Sequence, residues 1–196
     1  MYAIYITHPQ VNIDPLVPVP QWGLSSIGRA RAEKFARADI LGSVTRIISS
    51  HETKALDTAK IISAYSGARI EARDNFHENE RTSTGFVPPD RFEELANAFF
   101  AAPELSVEGW ERSLDAQSRI VAAVAEVLAE ADHDNPIAFV GHGAVGTLLK
   151  CHLAGRPISR GEDQGANGGG NVFTFSLGDM TLLTEWTPFE AFERSK

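Results

Sequence analysis

A chain of 196 residues with 43% apolar content is long enough to bury the core of one domain, or of one domain carrying a sizeable insertion. Its net charge of −8 argues against broad contact with nucleic acid or an anionic membrane, because both need a basic face, but leaves room for an anion in a locally positive pocket. The single cysteine, Cys151, excludes an internal disulfide and reads as a small buried hydrophobe on a helix. No basic flank precedes the first apolar run and no stretch reaches the length of a membrane span, so a cytosolic setting is expected.

The elements alternate along the chain. Residues 2–6 read as a strand, and Pro15, Pro18 and Pro20 make residues 9–22 a stiff, non-helical loop. Ser25 has the character of an N-cap for a helix over residues 26–40, whose apolar spacing runs through Ile27, Ala30 and Phe35. A second strand over 44–48 leads through Ser49-Ser50 into a helix over 51–65, with Ala55, Ala59 and Ile62 on one stripe. A third strand covers 69–72. Residues 75–89 are irregular, and helices follow over 92–101 and 110–131, the second amphipathic through Leu114, Ile120, Val121, Val124 and Leu128. Residues 137–140 form an apolar run of the type buried on both faces, followed by a helix over 143–153. A glycine-rich loop spans 155–170, and strands over 172–177 and 181–186 are expected to pair as a hairpin around Gly178-Asp179. The alternation predicts a three-layer α/β/α domain with a mainly parallel central sheet, interrupted by an insertion at about 75–110.

In open α/β sheets ligands bind beyond the carboxyl ends of the strands. His8 follows the first strand; Ser49, Ser50, His51 and Lys54 follow the second. His77, Glu78 and Glu80 follow the third at greater distance, and Gly141-His142-Gly143 follows the fourth. If these strands are parallel neighbours, two histidines, a cation and a carboxylate share one crevice. His142 sits between glycines at a strand-to-helix turn, where backbone approaches a ligand closely and helix N–H groups face an anion. The histidines at 51, 77, 133 and 152 read as structural or exposed. The run Gly165–Gly170 precedes a strand rather than joining strand to helix, so it is no dinucleotide or P-loop signature, and a flexible surface loop bordering the crevice is expected.

Two histidines with a cation and a carboxylate suit phosphoryl transfer through a covalent phosphohistidine, with no metal or other cofactor required. One neutral imidazole attacks phosphorus; the second and the cation stabilise the non-bridging oxygens. The carboxylic acid protonates the leaving oxygen and its carboxylate then activates water.

These residues resemble, in order along the chain, the motifs of the histidine phosphatases, the phosphoglycerate mutase-like superfamily. Thr7-His8-Pro9 stands at the family's Arg-His-Gly, and Leu24-Ser25-Ser26-Ile27-Gly28 matches its Leu-Thr-x-x-Gly segment. Ser49-Ser50 with Lys54-Ala55-Leu56-Asp57-Thr58-Ala59 matches the Ser-Ser…Arg-Ala-x-x-Thr-Ala segment. Phe76-His77-Glu78 matches the acid-bearing loop, and Val140-Gly141-His142-Gly143 the second histidine motif. The resemblance implies a phosphoglycerate mutase-like fold with His8 as phosphorylated nucleophile, His142 as second pocket histidine and Glu78 as proton donor. Lys54 would bind phosphate where the family usually has arginine, with Thr7 and Gly143 beside it. Thr7 and Lys54 depart from the two arginines, Pro9 from the glycine, and Asp14 stands where an asparagine is common. A lysine lacks the planar bidentate fork of arginine. Arg81 is the first candidate for a compensating cation, ahead of Arg29 and Arg112.

The expected activity is metal-independent hydrolysis of a small phosphomonoester. One alternative is a catalytically impaired relative that binds an anion or a protein partner; another treats His8, His142 and Glu78 as metal ligands, without any short His-x-x-His spacing to support it. The expected partner is a small phosphorylated substrate, with neither nucleic acid nor membrane, and a homodimer fits as well as a monomer. Specificity would come from residues 9–22, 75–101 and 155–170, with Trp22, Phe86 and Trp110 as candidate pocket walls.

Overall fold

The computed structural model describes residues 1–37, 41–131, 134–165 and 167–192. Strands β1 (Tyr2–Thr7), β2 (Arg46–Ser49), β3 (Arg69–Ala72), β4 (Ile137–Gly141), β5 (Asn171–Ser176) and β6 (Thr187–Pro188) form one sheet in the order β3-β2-β4-β1-β5-β6. The first four strands of that order run parallel, whereas β5 is antiparallel to β1 and β6 antiparallel to β5. Helices α1 (Ser26–Arg37), α2 (Thr53–Ser66), α3 (Pro89–Ala101), α4 (Ser113–Ala129) and α5 (Gly143–Leu153) cover its two faces. The sheet is mixed and the architecture is α/β, as expected.

Strand periodicity assigns the two cores. In β1, Ile4 and Ile6 join Ala32, Phe35, Ala55, Ala59 and Ile62 on the α1–α2 side. Ala3 and Tyr5 join Phe99, Val124, Phe139 and Leu148 on the α3–α5 side. Successive side chains of a strand point to opposite faces, so a strand covered by helices on both sides is apolar throughout. The residues 137–140 show this: all are almost fully buried.

Two helix starts move for local reasons. Helix α3 begins at Pro89 rather than residue 92, because a proline with fixed φ suits the first turn, and the N–H of Phe92 donates to Pro88 O at 2.9 Å. Helix α4 begins at Ser113 rather than 110, after a turn in which Glu108 and Gly109 both have positive φ. The end of the helix expected over 26–40 lies outside the described residues. Ser25 does cap that helix, accepting from the N–H of Gly28 at 3.1 Å. Its buried stripe, however, is Gly28, Ala32, Phe35 and Ala36, while Ile27 is 65% exposed. Gly28 decides the rotation: a Cβ there would meet Gln10 O at 2.1 Å, so the helix rests its bare backbone on the loop that follows β1.

The expected hairpin over 172–186 does not form as a continuous ladder. Beyond an isolated bridge between Phe175 and Leu182, β5 pairs instead with Thr187–Pro188. Thr184 breaks the ladder: its hydroxyl accepts from Thr174 N at 2.9 Å, and the N–H groups of Leu183 and Thr184 both converge on Thr174 O. A side chain thus takes a backbone partner's place and the strand bulges.

Candidate active site

The parallel order puts the carboxyl ends of β1, β4, β2 and β3 on one rim. The N–H of His8 donates to Gly141 O and the N–H of Ser50 to Val140 O, each at 3.1 Å, so the turns after β1 and β2 are tied to β4. The His8 and His142 rings meet edge to face with centroids 5.3 Å apart. Behind His8 lies the glycine-rich loop. The N–H of Gly170 donates to His8 O at 3.1 Å, and a Cβ on Gly169, whose φ is +81°, would meet that oxygen at 2.2 Å. The loop therefore buttresses the turn that carries His8, besides lining the crevice with Gly165, Gly168 and Gly169.

His8 Nδ1 lies 2.9 Å from Pro9 O. A carbonyl accepts only, so Nδ1 carries the proton and Nε2 keeps its lone pair. Burial and the Lys54 charge push the His8 pKa down to about 4, against the Pro9 carbonyl and Glu52, so the ring is a neutral base at neutral pH. His142 is fully buried; its Nε2 lies 2.9 Å from Ser50 Oγ and 3.3 Å from Glu52 Oε1, while Nδ1 has no protein partner. Burial holds this imidazole well below its usual range, against the pull of Glu52.

Glu78 faces the N-terminus of α5. Its Oε1 accepts from Val145 N at 3.0 Å and Asn79 N at 3.1 Å, and its Oε2 from Ala144 N at 3.2 Å. Burial raises its pKa despite these donors and Arg81, favouring a carboxyl that still holds a proton when a ligand arrives. The loop is pinned from behind by Arg119, which donates to the carbonyls of Asn75 at 2.8 Å, His77 at 3.1 Å and Glu78 at 3.3 Å.

Lys54 lines the crevice from the first turn of α2, its ammonium donating to Val19 O at 3.0 Å and to Glu52 Oε2. Glu52 is the residue that reading the sequence missed. It is 9% exposed and accepts from the N–H of Glu78 at 2.9 Å while facing Lys54 and His142. Burial alone would raise its carboxyl, but His142, Lys54 and the Glu78 N–H outweigh that and hold it at about 2. Its position immediately before the N-terminus of a helix, where a carboxylate is favoured, was the available signal.

Arg81 lines the crevice with its guanidinium stacked 5.0 Å above Phe92 and 5.8 Å from the Trp110 ring centre. Thr7 is fully buried. Its hydroxyl donates to Gln164 Oε1 at 2.9 Å and accepts from Asn171 N at 2.9 Å, so it faces a polar network rather than the open crevice. Gly143, the first residue of α5, lines the crevice close to Gln164, whose Nε2 an added Cβ would meet at 2.3 Å. Arg29 pairs with Asp57 and Arg112 with Asp115, away from the histidines, and Asp14 is an exposed loop residue accepting from Leu16 N. His51 and His152 are exposed, His77 edges a neighbouring cavity, and His133 lies outside the described residues. Among the described residues, no group of three or more His, Cys, Asp or Glu side chains is placed to hold a metal ion.

The crevice has a volume of about 490 Å³ and runs from His8, Lys54 and Gly143 outward to Trp22, Phe92 and Trp110. Phe86 tilts against Trp22 with ring centres 5.9 Å apart. A second cavity of about 450 Å³ adjoins it, sharing Val19, Glu78, Asn79 and Arg81.

The model of the histidine phosphatase superfamily, branch 1, matches residues 18–185. The chain belongs to that superfamily. A mycobacterial glucosyl-3-phosphoglycerate phosphatase solved with inorganic phosphate is 20% identical, over 97% of this chain and 99% of its own, with a TM-score of 0.79. YhfR of Bacillus stearothermophilus is 19% identical over 93% of this chain and 94% of its own, at 0.78. The α-ribazole phosphatase of Shigella flexneri is 15% identical over the whole of both chains, also at 0.78. At these identities the structures share the fold of this histidine phosphatase-like chain and establish nothing of its substrate. The sequence has no significant match among curated proteins. No helix among the described residues is long and apolar enough to cross a membrane.

Proposed function

We propose that the protein is a phosphatase that hydrolyses a small phosphomonoester through a phosphohistidine on His8. The observation that carries this reading is the edge-to-face pair of the buried His142 imidazole and the half-buried His8 imidazole, 5.3 Å between centroids, with the Glu78 carboxyl on the N-terminus of α5 beside them. The two further comparisons with phosphatases of the same fold support it. His8 Nε2 attacks phosphorus and the ester P–O bond breaks, while the Glu78 carboxyl gives its proton to the leaving oxygen. Water then attacks phosphorus and passes a proton to the Glu78 carboxylate as the P–N bond to His8 breaks, so phosphate leaves and both groups return to their starting forms. Lys54, Arg81 and the backbone N–H of Gly143, the first-turn donor of α5 that Glu78 does not take, stabilise charge on the phosphoryl oxygens. The buried amide of Asn79, whose Nδ2 has no protein partner, adds a donor at the wall of the crevice.

Purified protein should hydrolyse an aryl phosphate, His8→Ala should abolish that hydrolysis, and a phosphoenzyme should be trapped on His8. Hydrolysis undiminished in His8→Ala would refute the mechanism. One observation favours a second reading, an anion-binding relative without turnover: the Lys54 charge is already paired by Glu52. Hydrolysis that depends on His8 would reject that reading.

A further inference from the structure

Glu52 has no part in the steps above, yet its carboxylate sits among the groups that should meet a phosphoryl anion. It touches the Lys54 ammonium, His142 Nε2 and the backbone N–H of Glu78, three positive or donating groups gathered on one carboxylate. It also lines the cavity that adjoins the crevice behind Asn79 and Arg81. The charged and titratable groups around it come from every neighbouring element: Lys54 from α2, His142 from the turn after β4, His8 from the turn after β1. His77, Glu78 and Arg81 come from the loop after β3.

With both histidines neutral and burial favouring the protonated form of Glu78, the fixed charges acting on the His8 ring are Lys54 and Arg81 against Glu52; farther along the crevice Arg160 is paired with both Glu93 and Asp163 and adds no free positive charge. They leave a single positive charge. A phosphoryl group with one negative charge is matched by that balance, whereas a dianion brings one charge that nothing fixed compensates. The second arginine, which would have tipped the balance, is absent: Thr7 offers a hydroxyl, and that is engaged with Gln164 and Asn171.

We propose that Glu52 sets the charge of the ligand, so that the crevice takes a phosphoryl group carrying one negative charge in preference to a dianion. The inference rests on the phosphoryl-binding reading of the crevice. Such a group is either a monoester phosphate that keeps one proton or a phosphodiester. Glu52 thus acts through the charge left on Lys54 and His142 and not by contact with the reacting atoms.

The test is calorimetric titration of the full chain with inorganic phosphate, sulfate and dimethyl phosphate at about pH 5.5 and about pH 8. Phosphate is chiefly a monoanion at the lower value and a dianion at the higher one, while sulfate stays a dianion and dimethyl phosphate a monoanion. The wild type should bind phosphate at the lower pH at least about tenfold more tightly than sulfate, the effect of one nearby charge in a partly screened site. Dimethyl phosphate bound at both pH values assigns the diester; phosphate bound only at the lower pH assigns the protonated monoester. Glu52→Gln should bind sulfate at least about tenfold more tightly than the wild type and lose the discrimination, and Glu52→Asp should retain it. Equal wild-type affinity for phosphate and sulfate at the lower pH, or sulfate binding unchanged or weakened in Glu52→Gln, would overturn the inference alone. If none of the anions binds to either protein, the phosphoryl-binding reading falls as well. Should Glu52→Gln not fold, the wild-type comparison decides by itself.

Discussion

Replacing Lys54 by methionine should cost more stability than removing the whole Lys54–Glu52 pair. Lys54 is 4% exposed and Glu52 9%, so neither charge has water to fall back on. At contact distance and an effective dielectric near that of a partly buried site, the attraction is about 4 kcal/mol. Deleting one member of a buried pair commonly costs about 3–5 kcal/mol, because the other charge stays behind uncompensated. Lys54→Met leaves the Glu52 carboxylate only the Glu78 N–H and a neutral His142. The double variant Lys54→Met with Glu52→Gln removes both charges and keeps an acceptor for that N–H, so its cost should be about 1–2 kcal/mol. The double variant should therefore be more stable than Lys54→Met by about 2–3 kcal/mol, measured by urea unfolding at about pH 7.5. Acidification supplies an internal check. In the wild type the Glu52 pKa is about 2, below the usual 4.5, so its contribution is full above 4.5 and fades as the pH falls towards 2. Without Lys54 the folded value climbs, the carboxylate takes up a proton more readily, and the deficit of Lys54→Met should shrink on acidification. A double variant no more stable than Lys54→Met, within about 0.5 kcal/mol, would refute the buried-pair argument, since differences of that size arise between sites that do not interact.

His8 and the loop behind it give two further expectations. The His8 pKa falls from 6.5 to about 4 on folding, so the unfolded chain binds the proton first; stability should decline as the pH drops through that window, by ~1–3 kcal/mol, and His8→Ala should flatten the decline in a urea series. No flattening would show that other groups govern the acid limb. Gly169→Ala should cost ~1–3 kcal/mol through its positive φ, and should lower aryl phosphate turnover because the new Cβ displaces His8 O; wild-type turnover would disprove the buttress.

Much of the arrangement was legible because the topology does simple work. Apolar runs of strand length alternated with helical spacings, and the polar residues after four of the runs were the ones the parallel strands bring to one rim. His8, His142, Lys54 and Glu78 could be gathered that way because each follows its strand, directly or after a short turn. Glu52 could not. It lies two residues from Lys54, a spacing that places side chains on different faces of a helix, and the two meet only because Glu52 precedes the first turn of α2 and folds back. Nothing in the sequence singles out Arg119 either; its use, holding three carbonyls of the acid-bearing loop, depends on where that loop lands. The glycine run borders the crevice as a surface loop, as expected, but its use as a support was not legible. Gly168, Gly169 and Gly170 all take positive φ, and this conformation, which composition does not specify, lets bare backbone press against His8 O. The failed hairpin turned on one hydroxyl, that of Thr184, which no alternation pattern registers.

The threonine before His8 is not an isolated vacancy in the pattern. Its hydroxyl is interlocked with Gln164 and the backbone of Asn171, and the Asn171 amide reaches Gln164 in turn at 2.8 Å. A guanidinium written back at position 7 would have to displace a glutamine and an asparagine that are already bonded to each other. Position 7 is therefore coupled to positions 164 and 171, and a bulky cation placed there alone would leave the amide side chains of Gln164 and Asn171 to find new partners.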